Sequence, residues 1–182
     1  MNLKQRFSDA VPFDLFVQYA MANAELWKAQ WRRATVSDEA LARVHALSGR
    51  WHLLVLIEDW CGDAVNTLPA LAALAERAKN LDLRVLSRDG NDDLMKAHLT
   101  GGEGGSRSIP VVIALDDDFV ERGWWGPRPT PLREWFDTTG RELSKPDRYK
   151  HMRGWYARDH GVSAVDEVIA VIESANRVSR AA

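Results

Sequence analysis

The chain lacks a second cysteine. Cys61 is the one thiol in 182 residues, which excludes an internal disulfide and any cysteine-rich metal site. It also lacks an excess of positive charge. Its 24 Lys and Arg stand against 26 Asp and Glu, a formal net charge of −2, so no electrostatic basis exists for binding nucleic acid or an anionic membrane surface. No apolar run approaches the roughly 20 residues of a membrane-spanning helix. The opening MNLKQRFSDAVPFD has no apolar centre of a secretory signal. These absences point to a cytoplasmic, reducing home. The histidines, His45, His52, His98, His151 and His160, show no metal-ligand spacing with one another or with the cysteine, and no metal is expected. A Gly-x-Ser-x-Gly elbow and a GxGxxG fingerprint are missing as well. A Cys–His hydrolase pair with His98 or His151 would depend wholly on the fold.

What is present suits one globular domain of ordinary size: 46% of residues are hydrophobic and 27% charged, enough to bury a core. The 8 Trp read first as core residues and second as partner anchors. Apolar residues at Phe16, Tyr19, Trp27 and Trp31 predict one amphipathic helix from Phe13 to about Ala34. Ser37 can cap a second helix ending at Gly49, with Asp38 and Glu39 in its first turn. WHLLVLIE, Trp51 to Glu58, is a strand of the kind buried on both faces. A helix from Gly62 to Lys79, a strand from Leu81 to Asp89 and a short helix capped by Asn91 follow.

TGGEGGSRS, Thr100 to Ser108, is a loop; it lacks the Lys-Ser/Thr ending of a phosphate-binding P-loop. Pro110 to Asp118 and Phe119 to Trp125 read as a hairpin, with Asp116, Asp117 and Asp118 as a solvated turn rather than a calcium loop. Helices are expected from Pro131 to Asp137 and from Asp147 to Asp159. A third opens on a capping box of Ser163 and Asp166, and the last residues, VSRAA, are expected to fray. Alternating β and α elements with a closing hairpin predict a mixed α/β sheet with helices on both faces.

The segment from Trp51 to Phe136 resembles the thioredoxin superfamily. Trp60-Cys61-Gly62 closes a buried strand and opens a helix, like the family's Trp-Cys-Gly-Pro-Cys motif. Pro69 falls where that family kinks its active-site helix, and Ser108-Ile109-Pro110 is similar to its cis-proline loop. The hairpin ends in Gly126, as family hairpins do before the final helix. A bacterial subgroup carries a similar Asp-Trp-Cys-Gly-Asp-Ala stretch. The resemblance implies a three-layer α/β/α fold, with residues 1–50 as an N-terminal helical extension, 51–136 as the core and 137–182 as a C-terminal helical segment of one domain. Ala64 stands where the resolving cysteine belongs, Asp63 replaces the intervening proline, and Val55 occupies the place of a buried proton-transferring acid.

A thiol reacts as thiolate, and free Cys has a pKa of about 8.5. The helix start favours the anion of Cys61, whereas Asp63 opposes it; the net expectation is a pKa modestly below the free value. One sulfur can form a mixed disulfide but needs an external thiol to resolve it. The leading reading is therefore a monothiol protein exchanging with protein or low-molecular-weight thiols through Cys61, with glutathione or another small thiol as co-substrate and no other cofactor. The resemblance implies that Ile109 and Pro110 position the partner chain. Trp60 lies beside the sulfur, either as a lid or as packing. Glu58 and Asp59 are either proton carriers or turn acids that cap the helix. The competing reading is a non-redox binding or adaptor module, with Trp124, Trp125, Trp135 and Trp155 or the basic stretch Arg148 to Arg158 serving a partner. A homodimer fits either reading.

Overall fold

The computed structural model describes residues 2–181. It contains a five-stranded mixed sheet with the strand order β1-β3-β2-β4-β5. The central strand β2 (Trp51–Ile57) is buried along its whole length. It pairs in parallel with β3 (Leu81–Ser87) and antiparallel with β4 (Val111–Leu115). The hairpin partner of β4 is β5 (Glu121–Trp125). The outer strand β1 is only Val11–Pro12, antiparallel to β3, so the first fifty residues supply a sheet edge as well as helices.

Helix α1 (Leu3–Asp9) precedes β1 and was not legible in the periodicity. The single helix expected from Phe13 to Ala34 is two, α2 (Phe13–Tyr19) and α3 (Ala24–Arg33). The break is set at Asn23, which takes a left-handed φ of 55° that Asn tolerates better than most residues. Helix α4 (Asp38–His45) starts as expected, with Ser37 Oγ accepting the Ala40 N–H at 3.1 Å. Helix α5 (Gly62–Arg77) follows β2 and carries Pro69 inside it. Helix α6 (Asp92–Ala97) lacks the expected side-chain cap: the Asn91 amide is spent on Ser87 and Arg6 instead.

After the hairpin, α7 (Thr130–Trp135) runs into a π-helical turn, Phe136–Gly140. Helix α8 (Lys145–Asp159) and the long α9 (Val162–Ala181) complete the chain. The capping box at the head of α9 does not form; the Asp159 carboxylate accepts the Ser163 N–H at 3.3 Å instead. The helical backbone continues to Ala181, and Ala182, the end of the stretch expected to fray, lies outside the described residues.

Strand alternation puts helices on both faces. Trp125 points toward α9, giving its indole N–H to Glu167 at 2.7 Å. Its neighbour Trp124 packs edge-on against His98 on the other side. Trp27, Trp51 and Trp125 are buried, and Trp60 is the one exposed tryptophan. At the hairpin turn, Asp116 accepts the N–H groups of Asp118 and Val120 and pairs with Arg122. The acids there close a turn, and among the described residues no cluster of His, Cys, Asp and Glu could hold a metal. No helix is long and apolar enough to cross a membrane among the described residues.

His98 is 1% exposed. Its Nδ1 lies 2.7 Å from the Leu94 carbonyl and its Nε2 2.9 Å from the Glu121 carboxylate, so both ring nitrogens face acceptors. Burial disfavours the charged ring, but the hydrogen bonds to Glu121 and Leu94 outweigh it and raise the pKa. A raised folded-state pKa stabilises fully below the unfolded value of about 6.5 and is lost as pH rises through the folded value. The stability difference between wild type and His98→Gln is therefore expected to shrink as pH increases above about 6.5. Urea unfolding of both proteins across that window checks it; a difference that grows or stays flat would contradict the charged assignment.

Candidate functional site

The strand β2 ends at Ile57, and four residues later Cys61 occupies the N-cap of α5. Glu58 Oε1 accepts from Ser87 Oγ at 2.7 Å and from the Asp89 N–H at 3.0 Å. Asp59 Oδ2 accepts the N–H groups of Met21 and Ala22, both at 2.8 Å. Both acids therefore fix the turn that presents the cysteine, Asp59 by tying it to the α2–α3 junction. Neither lines the cavity on which the thiol opens, and the proton-carrier reading has no support from their contacts.

The Cys61 thiol donates to the Ile109 carbonyl at 3.3 Å, and its sulfur accepts the Ala64 N–H at 3.5 Å. The Ile109–Pro110 peptide is cis. Ile109 thus faces the sulfur through its carbonyl, while its side chain is buried instead of being displayed to a partner. The loop is backed by Gly126: a Cβ there would lie 2.1 Å from the Pro110 carbonyl oxygen, so position 126 admits only glycine without moving the loop.

Cys61 is 6% exposed. Burial pushes its pKa up to about 11; the Asp63 carboxylate adds to this, and the Ala64 and Asp63 N–H groups and Arg128 only partly offset it. The expected modest lowering is overturned. The helix start does favour the thiolate, but desolvation is the larger effect. Ala64 is fully buried, so the place of a resolving thiol is filled by a methyl group.

Asp63 is not the exposed first-turn acid that its position suggests. It is 8% exposed. Its carboxylate meets Arg128 at 2.7 Å and accepts the Tyr156 hydroxyl at 2.9 Å. Burial raises its pKa, against the pull of Arg128 and Tyr156. Burial, the Asp63 charge and the Asp63 hydrogen bond raise Tyr156 well above its ordinary value. The Arg128 guanidinium also lies 4.4 Å over the Phe136 ring of the π-helical turn. The head of α5, the segment after β5, the π-helical turn and α8 are thereby joined at one point beside the thiol.

A cavity of about 520 Å³ opens at this point. Trp60, Cys61, Gly62 and Ile109 lie along it, with Arg88, Arg107, Arg128 and Arg153, Leu26, Tyr149, Met152 and Tyr156. Trp60 is 51% exposed, with the Arg88 guanidinium 4.9 Å over its ring. His98 and His151 are elsewhere, the latter stacked on Trp135, so no Cys–His pair forms. Arg88, Arg107 and Arg128 escape a reading of the sequence because nothing local marks them, whereas Arg153 and Tyr156 lie in the basic stretch from Arg148 to Arg158 that the sequence offers as a partner surface. The Gly-Pro-Arg at 126–128 and the basic helix from Arg148 carry no spacing that points to Cys61.

A mixed sheet flanked by helices, with one thiol at a helix mouth beside a cis-proline loop, defines a thioredoxin-like α/β protein. The chain belongs to a thioredoxin family, whose model matches residues 10–143. Two solved structures share the fold. One is a protein of unknown function from Pseudomonas aeruginosa, 22% identical, covering 93% of this chain and 95% of that one, with a TM-score of 0.73. The other is an HIV epitope-scaffold, 23% identical, covering 94% and 97%, with a TM-score of 0.72. No curated relative matches the chain.

Proposed function

We propose that this chain is a ligand-binding member of its family, with Cys61 a neutral thiol in the binding cavity rather than a turnover nucleophile. One observation carries the reading: the thiol hydrogen is held by the Ile109 carbonyl in a buried site beside the Asp63 carboxylate. With a pKa of about 11, roughly one molecule in ten thousand is thiolate at pH 7, against about 3% for free cysteine. The higher intrinsic nucleophilicity of a more basic thiolate recovers only about tenfold of that roughly 300-fold deficit.

The second reading is monothiol exchange, favoured by the sulfur lining an open cavity next to the cis-proline loop. In that reaction the Cys61 thiolate attacks a disulfide, a mixed disulfide forms, and one thiolate leaves. An external thiol such as glutathione then attacks the mixed disulfide and is itself oxidised as Cys61 is released. The two readings separate by experiment. Alkylation of Cys61 is expected to run roughly thirtyfold slower than that of free cysteine at pH 7 and to reach half its maximum near pH 11. Turnover of a glutathione mixed disulfide is expected to be equal in wild type and Cys61→Ser. Faster turnover by the wild type would replace the binding reading with the exchange reading.

A further inference from the structure

The cavity beside Cys61 combines two surfaces that belong to one class of ligand. Arg88, Arg107, Arg128 and Arg153 line it, and Asp63 is the only carboxylate among its lining residues. Asp63 is already held by Arg128 and Tyr156. Arg88 and Arg107 pair with the exposed Asp89 and Asp92, pairs of a kind that contributes little, and Arg88 also lies over the Trp60 ring. Arg153 has no ion-pair partner among the described residues. The buried Nε–H of Arg128 has no acceptor among the described residues. The same cavity has apolar groups: Trp60, Leu26 and Tyr149 are all more than a third exposed, and Met152 lies in the wall. Guanidinium groups bind carboxylates and phosphates through two parallel hydrogen bonds. About 520 Å³ is the size of a small-molecule site.

We infer that this cavity binds a small amphipathic organic anion, its apolar body on Trp60, Leu26 and Met152 and its carboxylate or phosphate on Arg107 and Arg153. The inference rests on the binding reading above and names its ligand class. The overall charge of −2 conceals this patch, because the arginines come from four separate stretches of chain. The neutral thiol adds no negative charge to repel the ligand.

The test uses the full chain carrying Cys61→Ser, which removes thiol chemistry. The probes are 2-naphthoate, 2-naphthyl phosphate and the neutral 2-naphthamide, followed by amide and indole NMR shifts. At least one anion is expected to bind about tenfold or more tighter than the amide, moving the Trp60 indole and Ile109 amide signals; the tighter anion identifies the headgroup. The doubly substituted Arg107→Ala, Arg153→Ala protein is expected to lose about tenfold in affinity for the anion and none for the amide. Both arginines are solvent-accessible, so folding is not at issue. Amide binding as tight as anion binding, or unchanged anion affinity in the double variant, would overturn the anion assignment while leaving a binding cavity; shifts remote from Trp60 would overturn the assignment to this cavity. Absence of binding by all three probes overturns it too. Failure of the binding reading itself shows separately, as Cys61-dependent disulfide turnover.

Discussion

Asp63→Asn is expected to destabilise the protein by about 3–5 kcal/mol, the usual cost of stripping one partner from a buried ion pair. The reason is what remains. Arg128 is largely buried, with a side chain 20% exposed, and its only salt-bridge partner among the described residues is Asp63. Its charge then stands uncompensated at the junction of the α5 head, the segment after β5 and α8. The amide can still accept the Tyr156 hydroxyl, so the loss reports mainly on charge. The same substitution removes one of the influences that raise the Cys61 pKa and leaves Arg128, which lowers it, in place. Cys61 should therefore alkylate faster at pH 8 in Asp63→Asn than in wild type. Denaturant unfolding and an alkylation pH profile measure the two effects. A stable variant with an unmoved thiol pKa would mean that the Asp63–Arg128 contact neither holds the site nor tunes it.

Trp27→Ala is expected to cost about 3–5 kcal/mol as well, by the different route of an unfilled cavity in the core. Trp27 is 0% exposed and packs edge-on against Phe13 and Phe16. Its indole N–H bonds to the Asp59 carbonyl at 2.8 Å. Asp59 also receives the N–H groups of Met21 and Ala22, so Trp27 and Asp59 together clamp α3 to the turn that presents Cys61. Trp27→Phe keeps most of the apolar contact and loses the hydrogen bond, and its cost should be only about 1–2 kcal/mol above the size difference. Thermal and urea unfolding of the pair gives the comparison. A loss below about 1 kcal/mol in Trp27→Ala would show that α2 and α3 are a dispensable layer.

The central architecture is legible because its signals are local. The mostly apolar run from Trp51 to Ile57 fits a strand covered on both faces, and Ser37 caps α4 with its own side chain. The motif Trp60-Cys61-Gly62 sits between that strand and a 16-residue helix, which places the sulfur at a helix mouth from sequence alone. Elements without a local signal were missed. Strand β1 has two residues, too short to show alternation. The α2–α3 break lies at Asn23, inside an otherwise continuous helical period. Ser163 looks like a cap but bonds to Asp159, a competitor in the preceding helix.

The electrical character of the site was out of reach for a physical reason. Two residues from Cys61 in the chain, Asp63 reads as a solvated helix acid; its partner Tyr156 is 93 residues away, and Arg128 comes from yet another segment. Burial, which decides the state of the thiol, is a property of everything packed around it. The sequence by itself determined the four longer strands, the helix that follows the central one, and a single sulfur without a resolving partner, because each is written in adjacent residues. Only the tertiary structure decided that this sulfur keeps its proton and shares a cavity with four arginines, because desolvation and charge pairing act through space.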